Sequence, residues 1–338
     1  MTPTLRDVAA LAGVSFKTVS NVVNDYPHVS TATRERVMAA IEELGYQPNR
    51  MARSMRTGRT GAIGLAVPEL SLAYFAELAE EVITVADKHD VVVVVEQTGG
   101  DPRREIEVLR GPRRQMTDGL LFSPLALGSA DVGLLDVGFP LVLLGERIFD
   151  GPVDHVTMEN VEGARAATEF LIGLGCRRIA LLGAHEGEVI GSAGLRLAGY
   201  RAALEAHGIG FDQSLVVDSG PWHRSNGADG ARRLLARGVE FDSVFALNDE
   251  LALGALRVFR EQGIDVPSQV AIIGFDDVDE GRYSSPSLTT IDPGRREIAR
   301  LAVDLLLERI DGGAPSAPRE LRSNFRVVER ESTGRARL

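Results

Sequence analysis

The chain has a single cysteine, Cys176, so no internal disulfide can form, and this thiol usage suits a reducing compartment, with the cytoplasm the expected location. It has two lysines, Lys17 and Lys88, and neither closes a G-x-x-x-x-G-K phosphate loop. No G-x-G-x-x-G follows a strand-like run, and no G-x-S-x-G nucleophile elbow occurs. The six histidines (His28, His89, His155, His185, His207, His223) are scattered without metal-ligand spacing. No apolar run reaches the roughly 20 residues of a membrane-spanning helix. The opening MTPTLRDVAALAG lacks the basic start and apolar core of a secretory signal. These absences leave no catalytic residues, no metal site, no cofactor and no membrane partner to nominate, and the expectation is a protein that is not an enzyme.

What is present is an ordinary globular composition, 44% apolar and 25% charged over 338 residues, long enough for two or three domains with an ample core. The net charge of −11 hides an asymmetry. Residues 1–60 carry eight basic groups against five acids, a balance of +3, which leaves −14 for the remainder. Between Tyr46 and Thr60 there are four arginines and no acid. An acidic body with a basic head points to a polyanion partner for the head alone.

The head reads as short helices. Thr4 with Asp7 three residues on is a helix start, Val8, Leu11 and Ala12 recur at helical spacing, and Gly13 stops the turn. Ser15 caps a second helix after a turn of about three residues, which makes a helix-turn-helix. Ser30 caps a third, with Val37, Ile41 and Leu44 on one face and Gly45 at its end. In such a unit the second helix enters the DNA major groove. Within "VSFKTVSNVVN", Val19, Val22 and Val23 hold the helix to its neighbours, while Phe16, Lys17, Ser20 and Asn21 face outward. Lysine can donate to guanine, asparagine can pair with adenine, and the ring can meet a thymine methyl. After Pro48, the segment "QPNRMARSMRTGRTG" spaces its arginines three apart beside an apolar strip of Met51, Ala52 and Met55. It is too short to be a stable helix alone. A helix that orders on DNA, pairs with its twin and wedges Met55 between base steps in the minor groove accounts for both features.

From Ala62 onward, strand-length apolar runs ("AIGLAV", "VVVVV", "GLLF", "LVLL", "IALL", "SVFAL", "VAIIGF") alternate with helical segments at 74–88, 102–115, 161–173, 195–207, 227–237 and 249–262. This predicts an α/β body of doubly wound parallel sheets, with enough strands for two lobes and a cleft between them. Ligands in such sheets bind at the carboxyl ends of strands. The residues there are Tyr74 and Phe75 after the first strand, Arg196 and the lone Trp222, Asn248 with Asp249, and Asp276 with Asp277. An aromatic face, a forked donor and carboxylate and amide acceptors are what a sugar or polyol needs. Each has a plainer alternative: Asn248 as a helix cap, one of Asp276 and Asp277 as structural, Tyr74 and Phe75 as core.

The segments "TLRDVAALAGVSFKTVSNVVN", "VSTATRERVMAAIEELGYQPNRMARSM", "GLRLAGYRAAL", "ALNDELALGALR", "VAIIGFDD" and "SLTTI" resemble the LacI/GalR family of bacterial transcription regulators, in order and over essentially the whole chain. The resemblance implies a helix-turn-helix domain at 1–47, a hinge helix and linker at 48–60, and an effector-binding and dimerisation body at 61–338. That body is periplasmic-binding-protein-like, with lobe one at about 61–160 and 291–320 and lobe two at about 161–290 and 321–330. It implies a homodimer on near-palindromic double-stranded operator DNA. Phe16, Lys17 and Asn21 are then specificity residues, with Ser20 beside them. Thr4, Ser15, Thr18, Ser30 and Thr33 are phosphate-contacting or capping, and Asn49, Arg50, Ala52, Arg53, Met55 and Arg56 belong to the hinge contact. Many relatives carry arginine at the position of Asn21, so a different operator preference is expected; Met55 stands in for the usual leucine wedge. Effector contacts fall to Tyr74, Phe75, Arg196, Trp222, Asn248 and Asp276. Gly145 replaces an aspartate of several sugar-responsive relatives, and Ile190 an arginine of purine-responsive ones, which weighs against a purine. With no heptad repeat after "VVERESTGRARL", a dimer is expected rather than a tetramer. The expected function is a repressor of carbohydrate uptake or catabolism genes, released from DNA by a small sugar-like effector. The alternatives are a sugar-binding protein without a DNA role and a regulator using a non-sugar corepressor.

Overall fold

A computed structural model describes residues 3–23, 26–46, 59–111, 115–313 and 317–334, and the chain divides into two compact units, 1–60 and 61–338. The expected hinge helix, with Asn49, Arg50, Ala52, Arg53, Met55 and Arg56, lies outside the described residues.

In the first unit, helix α1 (Leu5–Ala12) opens on a reciprocal cap: the Thr4 hydroxyl accepts from the Asp7 N–H, and the Asp7 carboxylate accepts from the Thr4 N–H at 2.8 Å. Gly13 ends it in the left-handed region, φ 63°, which costs glycine little. Ser15 then accepts from the Thr18 N–H at 3.1 Å and starts α2 (Phe16–Val23). Ser30 starts α3 (Thr31–Leu44), which Gly45 closes. Val8, Val19, Val22, Val37, Ala40 and Tyr46 form a small closed core.

The second unit holds twelve named strands among its described residues. Strands β1 (Ala62–Val67), β2 (Val92–Gln97), β3 (Leu120–Phe122), β4 (Leu141–Leu144), β5 (Asp154–Met158) and β11 (Glu320–Ser323) make one parallel sheet in the order β11-β5-β4-β3-β1-β2. Strands β6 (Ile179–Ala184), β7 (Val216–Asp218), β8 (Ser243–Ala246) and β9 (Ala271–Ile273) make a second, ordered β7-β6-β8-β9. A short antiparallel pair, β10 (Thr290–Asp292) with β12 (Arg326–Val328), completes the unit. The helices are α4 (Ala73–Asp87), α5 (Pro102–Arg110), α6 (Asn160–Gly173), α7 (Ser192–Ala206), α8 (Arg224–Ala236), α9 (Asp249–Glu261), α10 (Asp279–Tyr283) and α11 (Arg295–Ile310). Apolar β1 and β4 are covered on both faces, as their unalternating runs predict.

The backbone passes between the two lobes three times: from β5 into α6, from β10 into α11, and from β11 into β12. Helices α8 and α9 approach closely because each presents a glycine. A Cβ on Gly227 would fall on Leu251 backbone, and one on Gly254 on the Arg224 carbonyl.

Several expectations shift. The expected second-lobe segment 321–330 begins later: Leu321–Ser323 pair with Val156–Met158 in the first sheet, and Arg326–Val328 pair with β10. The helix expected at 102–115 ends at Arg110, where Gly111 adopts an extended conformation. Strand β5, sequence DHVTM, is fully buried although three of its five residues are polar, so no apolar run announced it. Its Asp154 is neutralised by Arg309 and Arg319, each at 2.8 Å, which hold its carboxyl down at about 2 against the raising effect of burial.

Candidate functional site

Two surfaces collect the residues singled out above. On α2, Phe16 is 52% exposed, Lys17 is exposed, and Ser20 and Asn21 are half-buried at the rim, while Val19 and Val22 turn into the core. Thr4, Ser15 and Ser30 are engaged as helix caps through Asp7, Thr18 and Thr33 respectively. The Ser15 and Thr18 hydroxyls lie 2.9 Å apart, as do those of Ser30 and Thr33. The caps fix where α2 and α3 begin, and the apolar packing fixes their roll, so the Phe16–Asn21 face is presented by a rigid frame.

The second surface is a cleft of about 230 Å3 between the two lobes of the body, and it brings together Tyr74, Phe75, Arg196, Trp222, Asn248 and Asp276. Arg196 is its centre and is 2% exposed. Its Nε donates to Asn160 Oδ1 at 2.8 Å, Nη1 to the Leu247 carbonyl, and Nη2 lies 3.5 Å from Asp276 Oδ1. The guanidinium plane covers the Phe275 ring at 3.6 Å from its centroid and lies 5.3 Å from that of Trp222. The fork therefore ties both lobes' strand ends to one planar group.

Asp276 sits in the left-handed region, φ 118°, beyond the end of β9. Burial pushes its carboxyl up to about 7, against the pull of Arg196 and Arg295. Asp249, behind it, is raised well above the carboxylate range, by burial first and by Asp276 second, although Thr290 and the Val278 N–H donate to it. Asp277 is the structural one of the pair, bound to Arg330 at 2.5 Å. Asn248 is a helix cap as well as a lining group: it accepts from the Leu251 N–H at 2.9 Å and donates to the Trp222 carbonyl at 3.1 Å. The Trp222 indole N–H is spent on the Gly183 carbonyl at 2.9 Å, which fixes the ring. Tyr74 and Phe75 meet edge to face, with centroids 5.2 Å apart.

The sequence reading missed other lining groups: Ser123, Glu146, Arg147, His185, Glu188, Ser192 and Glu250. Ser123, Glu146 and His185 stand within two residues of the ends of β3, β4 and β6. Applying the strand-end rule to every strand would have found them. Three contacts run between lobes across the cleft: Ser192 Oγ donates to Glu146 at 2.8 Å, His223 faces Glu69 at 3.3 Å, and Arg147 faces Glu188 at 3.9 Å. Both His185 nitrogens face acceptors, Glu188 at 2.9 Å and the Gly220 carbonyl at 2.9 Å, so the ring is held toward its charged form and its pKa is raised, chiefly by Glu188. Among the described residues no cluster of three or more His, Cys, Asp or Glu is placed to hold a metal, and no helix is long and apolar enough to cross a membrane.

Residues 4–49 match the family described as bacterial regulatory proteins, lacI family, and residues 168–333 match the periplasmic binding protein-like domain. The HTH-type transcriptional regulator CelR of Thermobifida fusca is 38% identical over 320 residues, covering 92% of each chain. Among solved structures, a complex of the transcriptional regulator CelR with cellobiose is similar at TM-score 0.72 and 34% identity, over 98% of this chain and 99% of that one. The lac repressor dimer bound to operator and the anti-inducer ONPF is similar at TM-score 0.81 and 30% identity, with the same coverage.

Proposed function

The chain belongs to the LacI family of DNA-binding bacterial transcriptional regulators, and from that premise we propose that it represses carbohydrate uptake or catabolism genes and leaves its operator when a small sugar fills the interlobe cleft. The observation that carries the sugar is the composition of the cleft. Fixed aromatic faces at Trp222, Tyr74 and Phe75 converge with the Arg196 fork and the carboxylates of Asp276 and Glu146, the mixture that stacks a pyranose and exchanges hydrogen bonds with its hydroxyls. The cellobiose complex of a relative points the same way.

In this reading a cytoplasmic homodimer sits on a near-palindromic operator, one head to each half-site. Phe16, Lys17, Ser20 and Asn21 meet base edges, Thr4, Ser15, Thr18, Ser30 and Thr33 lie against phosphates, and Asn49, Arg50, Ala52, Arg53, Met55 and Arg56 reach the central minor groove. Tyr74, Phe75, Arg196, Trp222, Asn248 and Asp276 hold the sugar. The effector binds one cleft conformation better than the other and shifts the population toward the form with weaker operator affinity. A coupling of about 1–3 kcal/mol is enough for a usable switch.

The test is recovery of genomic fragments by the purified full chain at near-physiological salt, followed by titration of the recovered operator complex with sugars. A palindrome upstream of a transport or glycoside-degrading operon, released by a sugar, supports the reading. A palindrome released by no sugar but retained only with another small molecule replaces the inducer with a corepressor. Recovery of no sequence under any condition overturns the operator role.

A further inference from the structure

Five carboxylates line the cleft, those of Glu69, Glu146, Glu188, Glu250 and Asp276. Four face a basic side chain: Glu69 has His223 at 3.3 Å, Glu188 has His185 at 2.9 Å, Glu250 has Arg224 at 2.5 Å, and Asp276 has Arg196 at 3.5 Å. Glu146 does not. It is 6% exposed, and its two oxygens accept only hydroxyls, from Thr157 at 3.1 Å and from Ser192 at 2.8 Å. Among the described residues no basic nitrogen lies within 4.0 Å of its carboxylate. Neither arginine of the cleft neutralises it at contact distance: Arg196 has committed its fork to Asn160, Leu247 and Asp276, and Arg147 stands 3.9 Å from Glu188 with its buried Nε unpartnered among the described residues.

We infer that Glu146 is the charge filter of the cleft, admitting neutral sugars and rejecting anionic ones such as sugar phosphates and uronates, a property that rests on the sugar reading above and narrows it. A buried carboxylate solvated by two hydroxyls still has acceptor capacity, because its oxygens offer about four lone-pair sites. Paired hydroxyls of a neutral sugar fill the remainder without adding charge. A phosphate or carboxylate on the ligand brings a further negative charge into the same low-dielectric space and places acceptors where the paired hydroxyls of a neutral sugar would donate. Because Thr157 belongs to one lobe and Ser192 to the other, the carboxylate also touches both walls of the cleft. An anionic ligand is thus opposed wherever these contacts join the two walls.

The experiment uses the full chain and the fluorescence of Trp222, its only tryptophan and a wall of the cleft. Glucose, ribose and cellobiose are titrated, each beside its phosphorylated or carboxylated derivative. Like charges about 6 Å apart at an effective dielectric of about 20 correspond to a loss of about a hundredfold, so each anionic derivative is expected to bind about a hundredfold more weakly than its parent. In Glu146→Gln the gap narrows at least tenfold. Equal affinity for a neutral sugar and its anionic derivative in the wild type overturns the filter alone, and this comparison stands even if the variant does not fold. A gap that persists undiminished in a folded Glu146→Gln overturns the assignment to that residue. Silence toward every sugar, neutral or charged, overturns the sugar reading and the filter together.

Discussion

Replacing Arg196 with methionine keeps a long apolar stem over Phe275 and removes the charge. Two consequences of different kind follow. The first is independent of pH: the Asn160 amide oxygen and the Leu247 carbonyl lose a charged donor in a buried site, which costs about 1.5–3 kcal/mol. The second depends on Asp276. In the wild type burial sets its carboxyl at about 7 while an unfolded aspartate titrates near 4, so the folded state holds an extra proton between those values. The contribution of Asp276 to wild-type stability therefore falls as pH rises from about 4 to 7 and is flat above. Without Arg196 the folded-state value rises further, and in the variant this contribution goes on falling by up to about 1.4 kcal/mol per pH unit above 7, where in the wild type it has levelled off. Arg295, which also lowers this carboxyl and donates to the Asp276 carbonyl at 2.7 Å, bounds the effect.

The expected difference is thus about 1.5–3 kcal/mol at pH 6, growing by up to about 1.4 kcal/mol per unit between pH 7 and 8, against a total domain stability of about 5–15 kcal/mol. Urea titrations followed through Trp222, which lies in the second unit only, measure the body directly. The growth with pH should vanish when Asp276→Asn is introduced into both backgrounds. A difference that is the same at pH 6 and pH 8 would refute the proposed charge pairing.

Three further outcomes are expected. Asn21→Ala should cost about 1–3 kcal/mol of operator affinity and relax selection at one base pair per half-site while leaving effector affinity unchanged; selection from random half-sites reads this, and an unaltered preference removes Asn21 from the specificity face. Effector affinity should fall as pH drops below 7, by at most about tenfold per unit, because the Asp276 carboxylate accepts sugar hydroxyls more strongly than its protonated form does; a flat titration from pH 5.5 to 8 excludes that role. Gly254→Ala should lower the urea stability of the body by about 1–3 kcal/mol through its clash with the Arg224 carbonyl, and a neutral effect would mean that α8 and α9 can separate freely.

The head was legible because caps are local. Thr4, Ser15 and Ser30 announce their helices through hydroxyls that reach only three residues, and Gly13 and Gly45 end two of them in the left-handed region. Of the six cleft residues, Asn248 and Asp276 were legible because strand ends are marked by where apolar runs stop, while Tyr74, Phe75, Arg196 and Trp222 lie further along and rested on the family resemblance. The contact between Glu146 and Ser192 was not legible, since it spans 46 residues and two lobes. Strand β5 hides its burial in polar side chains, of which Asp154 finds its partners, Arg309 and Arg319, only at the far end of the chain. Helix α11 carries a readable periodicity at Ile298, Ala299, Ala302, Val303 and Leu306, but it lies beyond the alternating strand–helix run on which the sequence reading rests.

The threefold crossing between lobes also orders events at the ribosome. Strand β5 is complete at Met158, yet the strand that covers its open edge, β11, begins at Glu320. The whole second sheet is made in between. At about 5–20 residues per second, that edge waits roughly 8–30 s for its neighbour. For the same interval Asp154 lacks the two arginines that neutralise it. A chain arrested before residue 309 therefore leaves the β5 edge open and Asp154 without its arginines, two marks that a quality-control protease or chaperone can read, whereas in the finished chain β11 covers that edge and Arg309 and Arg319 neutralise the acid.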